Sequence, residues 1–183
     1  MELVIFSIEN SLKFLGFKPS LSLDKKTVSK SDIIILPGVG SFDFAIKNLK
    51  KKSIDNVLKK KRKSQKIIGI CLGMQLLFDS STEDGYNKGL GLINGDIEKI
   101  KKDIKTPNIG WNKITTYNHL FKEFNNKKFY FLHSYYVKNI KKKTALLIQK
   151  LKIYLYHPLY IKKIIFLAFS FILKKAQLTA WKY

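Results

Sequence analysis

The chain has 183 residues, a hydrophobic fraction of 45% and a formal net charge of +22. That length fits one domain, since domains run to roughly 100–200 residues, and the apolar content is enough for a core. One cysteine, Cys71, cannot close an internal disulfide, which excludes a secreted fold stapled by disulfides.

The N-terminus shows no basic segment followed by an apolar run and a small-residue cleavage site, so no signal peptide is expected. Ile164 to Leu173 is the most apolar run. It is far short of the ~20 residues a spanning helix needs, and Lys162, Lys163, Lys174 and Lys175 flank it. A cytoplasmic protein without membrane contact is expected. The charge invites a nucleic-acid partner, but of 35 basic residues only Arg62 is arginine. Base-edge and bidentate phosphate recognition favours arginine. Lysine is accompanied here by abundant Ile, Asn, Phe and Tyr, all with A/T-rich codons, as compositional drift would produce. "KKKRK" at Lys59 to Lys63 is therefore read as a solvated helix end.

In chain order, Ile5, Ile8, Leu12 and Leu15 recur at helical spacing, and Gly16 is a stop. "IIIL" running into "PGVG" predicts a buried strand that ends in a tight loop at Pro37 to Gly40. Phe42 to Lys63 carries a helical pattern. Lys66 to Cys71 predicts a second buried strand, and Met74 to Phe78 the start of a helix. This alternation argues an α/β fold with a parallel sheet. Thr82 to Asn94 reads as a loop, and Asp96 to Trp111 and Lys127 to Val137 as short strands with turns between them. From about Lys138 the texture changes: no Gly follows Gly110, and no acid follows Glu123.

"GICLG" puts Cys71 after a strand and before a helix. A nucleophile at such a turn is exposed at the carboxyl end of a sheet, and Gly69 and Gly73 supply the small neighbours it needs. The positive end of the next helix would favour thiolate. A buried structural cysteine, packed as a small hydrophobe, fits the spacing equally well. "PGVG" after the other strand would lie at the same sheet edge, where its N–H groups could meet an oxyanion. An ordinary strand-to-helix turn would read the same.

Together, "ILPGVGSF" and, some thirty residues on, "IIGICLGMQLLFDSS" resemble the class I glutamine amidotransferases. "GLGLINGDI" at Gly89 to Ile97, "PNIGWN" at Pro107 to Asn112 and "HSYYV" at His133 to Val137 favour the glutaminase subunits of imidazole glycerol phosphate synthases. They argue against aminodeoxychorismate or carbamoyl-phosphate glutaminases. The resemblance covers Ile5 to about Val137, within a single domain over 1–183. It implies a mostly parallel central sheet flanked by helices. It also implies a Cys thiolate that attacks the glutamine side-chain amide, and a His–Glu pair that protonates ammonia and then activates water. Ammonia would pass to a (β/α)₈-barrel cyclase partner; no cofactor or metal is implied. By motif, Cys71 is the nucleophile. Gly38, Val39, Gly40 and Leu72 belong to the oxyanion site, and Gln75 to the glutamine pocket. Ser134, Tyr135 and Tyr136 would lie near that pocket or the partner interface.

The family's base and acid sit in a late segment resembling Q-F-H-P-E-K-S, which this sequence lacks. Its histidines are His119, His133 and His157. His119 lies in a polar loop and His133 in "HSYY", while His157 precedes a proline but has no acid beside it. A shifted reading frame explains the gap. With A/T-leaning codons, Leu167 to Ala176 read one frame over gives Gly-Ile-Gln-Phe-His-Pro-Glu-Lys-Ser, with the dyad at codons now read as Phe171, Ile172 and Leu173. A frameshift between about Val137 and Lys152 is expected, leaving 138–183 non-native in sequence. The family also opens with a strand and a Gly- or Asn-containing turn that Met1 to Val4 is too short to supply, so the first strand is expected to be missing. Little glutaminase activity is expected of this polypeptide. The alternative is a non-catalytic scaffold, or a basic module that docks on the cyclase or on nucleic acid.

Overall fold

In the computed structural model, residues 2–101, 105–115, 122–123, 125–139, 148–149 and 164–166 are described. Helix α1 (Glu2–Phe14) begins earlier than its apolar spacing predicts, so no strand precedes it among the described residues. Its stripe of Ile5, Ile8 and Leu12 is half-buried, whereas Leu15, expected on that stripe, is 54% exposed beyond the helix end.

Helix α2 (Lys25–Lys30) has no apolar repeat and escapes a periodicity reading. Its start is set by Asp24, whose carboxylate accepts from the Thr27 N–H at 2.7 Å and the Thr27 hydroxyl at 2.8 Å. These bonds hold the Asp24 carboxyl below its ordinary range. Strand β1 (Ile33–Leu36) follows, as its β-branched run predicts.

The single helix expected over Phe42 to Lys63 is two: α3 (Phe42–Lys51) and α4 (Ile54–Lys59). The break falls at Ser53, held in the left-handed region at φ 54°. It lets Ile54 and Leu58 turn into the core beside Phe42, Ile46 and Leu49. Phe42 and Leu58 are wholly buried, and each such side chain contributes about 1.5–3 kcal/mol.

Strand β2 (Lys66–Gly69) pairs in parallel with β1, Leu36 opposite Gly69. The helix after Cys71 is shorter than expected: α5 (Leu72–Gln75) is one turn. Leu76, Leu77 and Phe78 then leave it, each at most 2% exposed. Side chains buried in succession cannot lie on one helix face, which is why the pattern here misleads.

Strands β3 (Ser80–Ser81), β4 (Asn87–Lys88) and β5 (Asp96–Lys99) lead to β6 (Asn108–Thr115), β7 (Lys128–His133) and β8 (Tyr135–Lys138). The last two described segments are β9 (Ile148–Gln149) and β10 (Ile164–Phe166). Among the described residues three sheets result: β1–β2–β10, all parallel; β4–β3–β5–β8, mixed; and the antiparallel β7–β6–β9. The core lies between the α3–α4 pair, β2 and the segment from Leu72 to Ile97. No helix among the described residues is long and apolar enough to cross a membrane.

Candidate active site

The parallel register brings both glycine loops to one sheet edge. The Ile70 N–H donates to the Leu36 carbonyl at 3.0 Å, so the chain leaves β2 directly beside the start of Pro37 to Gly40. Cys71 then adopts φ 54° and ψ −120°, a conformation that costs a non-glycine residue about 1–3 kcal/mol. The turn is closed by the Gly73 N–H on the Ile70 carbonyl at 3.0 Å and the Met74 N–H on the Cys71 carbonyl at 3.0 Å. Such strain is common where a reactive side chain is held on a turn, and Cys71 is half-buried there.

The two loops touch. A Cβ on Gly73 would overlap the Leu36 carbonyl, and one on Gly38 would lie 2.7 Å from the Gly73 nitrogen and 2.8 Å from the Leu72 Cβ. Only glycine permits that approach from both sides. Val39 is 37% exposed, and Gly40 sits at φ 97° just before α3.

Leu72 is the first residue of α5, and its N–H has no acceptor among the described residues. Such an orphan donor, next to the sulfur-bearing residue, is where an oxyanion can be met. One turn of helix supplies little macrodipole, so the expected aid to thiolate from a long helix is reduced to these few N–H groups. Gln75 is half-buried one turn on, its N–H donating to the Cys71 carbonyl at 3.2 Å.

A second cluster adjoins the first. The Phe42 N–H, which opens α3 two residues after Gly40, donates to the Glu83 carboxylate at 2.8 Å. Tyr135 is half-buried against the core, and its hydroxyl is pushed above its ordinary range by desolvation and then by the negative charges of Glu83 and Asp84. Ser134 accepts the Ile100 N–H on its carbonyl at 2.9 Å, and half-buried Tyr136 pairs with Glu98. Glu83 was not among the residues singled out by sequence. Its only signal was an acid pair, "ED", soon after the elbow.

His133 is the only histidine among the described residues, and both ring nitrogens are engaged. Nδ1 lies 3.0 Å from the Tyr135 carbonyl, to which it must donate. Nε2 therefore accepts from the Asn108 amide at 2.9 Å. With this tautomer the ring joins "PNIGWN" to "HSYY". His119 and His157 lie outside the described residues, as do the codons of the proposed frame change.

The class-I glutamine amidotransferase family model matches residues 7–160. The chain belongs to this family. It is 42% identical to "Imidazole glycerol phosphate synthase subunit HisH" of Carboxydothermus hydrogenoformans, over 72% of this chain and 68% of that one. It is 38% identical to the subunit of the same name of Methanopyrus kandleri, over 72% and 66%. It is 43% identical to HisH 2 of Methanococcus maripaludis, over 77% and 73%. The matches thus span about two thirds of these relatives' lengths. A solved glutamine amidotransferase superposes with a TM-score of 0.60 at 15% identity, covering 76% of this chain and 71% of that one, which shows the shared fold. The chain is therefore a HisH homologue within the class-I glutamine amidotransferases, an enzyme family.

Proposed function

We propose that the chain is the glutaminase subunit of an imidazole glycerol phosphate synthase, acting in the cytoplasm. The observation that carries this reading is the shared edge: Leu36 opposite Gly69 places the Pro37 to Gly40 loop against the strained Cys71 turn. The Cys71 sulfur attacks the glutamine amide carbon, and the oxyanion that forms lies toward the Leu72 N–H and the Gly38 to Gly40 loop. Expulsion of ammonia needs a proton and leaves a glutamyl thioester; water, losing a proton, then releases glutamate. Gln75, Ser134 and Tyr135 shape the glutamine pocket. Glu83, fixed on α3, offers a carboxylate to the substrate's ammonium group.

The late segment that carries the family's His–Glu pair is absent from this sequence, and with it the carrier for both proton transfers. Loss of a triad base costs on the order of 10⁴-fold or more in kcat. The polypeptide should therefore bind glutamine and turn it over at or near background. A frameshift between about Val137 and Lys152 accounts for this. The frame-restored chain should release glutamate when glutamine and the cyclase are supplied, and the present chain should not. Equal turnover by both would refute this reading.

The cyclase is proposed to dock on β6. Ile109 and Trp111 alternate onto one face at 57% and 56% exposure, and Tyr130 braces Trp111 edge-on at 5.7 Å. An exposed, braced tryptophan is an interface anchor. The scaffold reading keeps this surface and drops catalysis; cyclase capture without glutamate release would favour it.

A further inference from the structure

The α2–α4 side of the domain carries a cleft of about 650 Å³, lined by segments that precede β1 and β2, whereas both glycine loops follow those strands; it is independent of the glutaminase reading. Lys25 enters it from the first residue of α2, and Lys60, Lys61 and Arg62 from the segment after α4. None of its described lining residues is acidic. Arg62 also faces Asp32, 3.5 Å away with a side chain 92% exposed. Four cations thus converge on one depression whose described lining carries no carboxylate.

Two of those cations are held in place. The Lys61 ammonium donates to the Gln65 carbonyl at 3.1 Å. The Arg62 guanidinium donates to the Lys30 and Ser31 carbonyls at 2.9 and 3.2 Å. The floor is rigid as well: Gln65 is 1% exposed, its amide donating to the Val28 and Ser31 carbonyls at 2.9 and 2.6 Å. Ser29 and Asn56 add neutral polar groups to the wall. Cations positioned in advance need little further ordering when an anion arrives.

We propose that this cleft binds a small, multiply charged phosphate anion, with a diphosphate as the fitting chemical class. Lysine ammoniums act as point charges for phosphate oxygens, and several together favour a polyanion over a single carboxylate. A nucleic-acid strand is disfavoured because no described lining residue is aromatic, and strand-binding grooves stack bases on aromatic rings. "KKKRK" is then no mere solvated helix end: Lys60, Lys61 and Arg62 share one cleft.

The test is calorimetric titration of the full chain with inorganic pyrophosphate at low ionic strength. Saturable one-site binding is expected. Lys25→Ala and Lys60→Ala, both exposed and remote from the core, should each weaken it about threefold, and together about tenfold. Lys50→Ala, on α3, should leave it unchanged. Parental affinity in the double variant would overturn the site and assign the binding to diffuse charge. So would a single-stranded oligonucleotide that binds more tightly than pyrophosphate and is indifferent to both substitutions.

Discussion

Gly73→Ala tests whether the contact between the two loops holds the nucleophile in place. The new Cβ would overlap the Leu36 carbonyl oxygen and stand 2.6 Å from the Leu36 carbonyl carbon and 3.0 Å from that of Pro37. Ordinary contact for a Cβ begins near 3.4 Å, so β1 and the Cys71 turn must part by well over an ångström at the carbonyl oxygen. The obstacles are backbone, so no rotamer change relieves them. Overpacking of this kind costs about 1–3 kcal/mol, and with backbone on the blocking side the upper part of that range is expected. In a chain of this length, about 2–3 kcal/mol lowers Tm by roughly 4–12 °C. The assay pairs a thermal melt with the rate at which a glutamine-analogue chloroketone alkylates Cys71. Alkylation should fall at least about tenfold, because a 1 Å misplacement of a reacting group costs that much or more. A variant with parental Tm and parental alkylation would refute the reasoning.

Glu83→Gln should keep the bond from the Phe42 N–H, so the melt should shift little, while the glutamine concentration that protects Cys71 from iodoacetamide rises several-fold. Trp111→Ala should leave stability within about 1 kcal/mol, because an exposed side chain loses little burial, and weaken cyclase capture by about 2 kcal/mol or more, some thirtyfold. Tyr135 has its folded pKa raised by desolvation and by Glu83 and Asp84. Above the unfolded value near 10 the unfolded chain therefore gives up its proton first, and stability must fall as pH rises. Denaturant melts at alkaline pH should show that slope, reduced in Tyr135→Phe. Asp24 works in the opposite sense: its lowered pKa stabilises above 3.8 and is lost as pH falls through the folded value. Asp24→Asn should flatten the acid limb of the stability profile.

The sheet edge was legible because its signals are local. "IIIL" and "KIIG" are short β-branched runs, and each stops at glycine-bearing turns whose purpose is close approach. The elements that escaped are those decided by distant partners. Nothing in "KKSID" marks a break, for Ser53 has no glycine freedom; the left-handed turn is held by the burial of Ile54 and Leu58 beside α3. Helix α2 buries only Val28, so periodicity had nothing to register, and its Asp24 cap was the sole local cue. The single turn of α5 was hidden by Leu76 to Phe78, whose burial is set by neighbours on every side. Glu83 is the sharpest case: it meets the Phe42 N–H across 41 residues, a relation only the fold can show. The role of His133 was equally invisible, since the motif names the residue while the Asn108 and Tyr135 contacts say what it does.

The site separates two things that a catalytic triad normally supplies together. Positioning is a property of the backbone: the φ 54° turn at Cys71, the orphan Leu72 N–H and the seat of Gly38 on Gly73 all come from strands and glycines. They follow from residues near the loops themselves and survive whatever the later chain encodes. Proton transfer is a property of a side chain delivered from elsewhere, and here the one described histidine is committed to joining β6 to β8. Releasing it would not help. Breaking the Asn108 contact forfeits a part-buried hydrogen bond, worth about 0.5–1.5 kcal/mol, and the link it makes to β6. An electrophile that forms its bond to sulfur without a leaving amine tests positioning alone, whereas glutamine tests both. A chain that reacts with the first and stalls on the second has an intact elbow and lacks only the proton transfer.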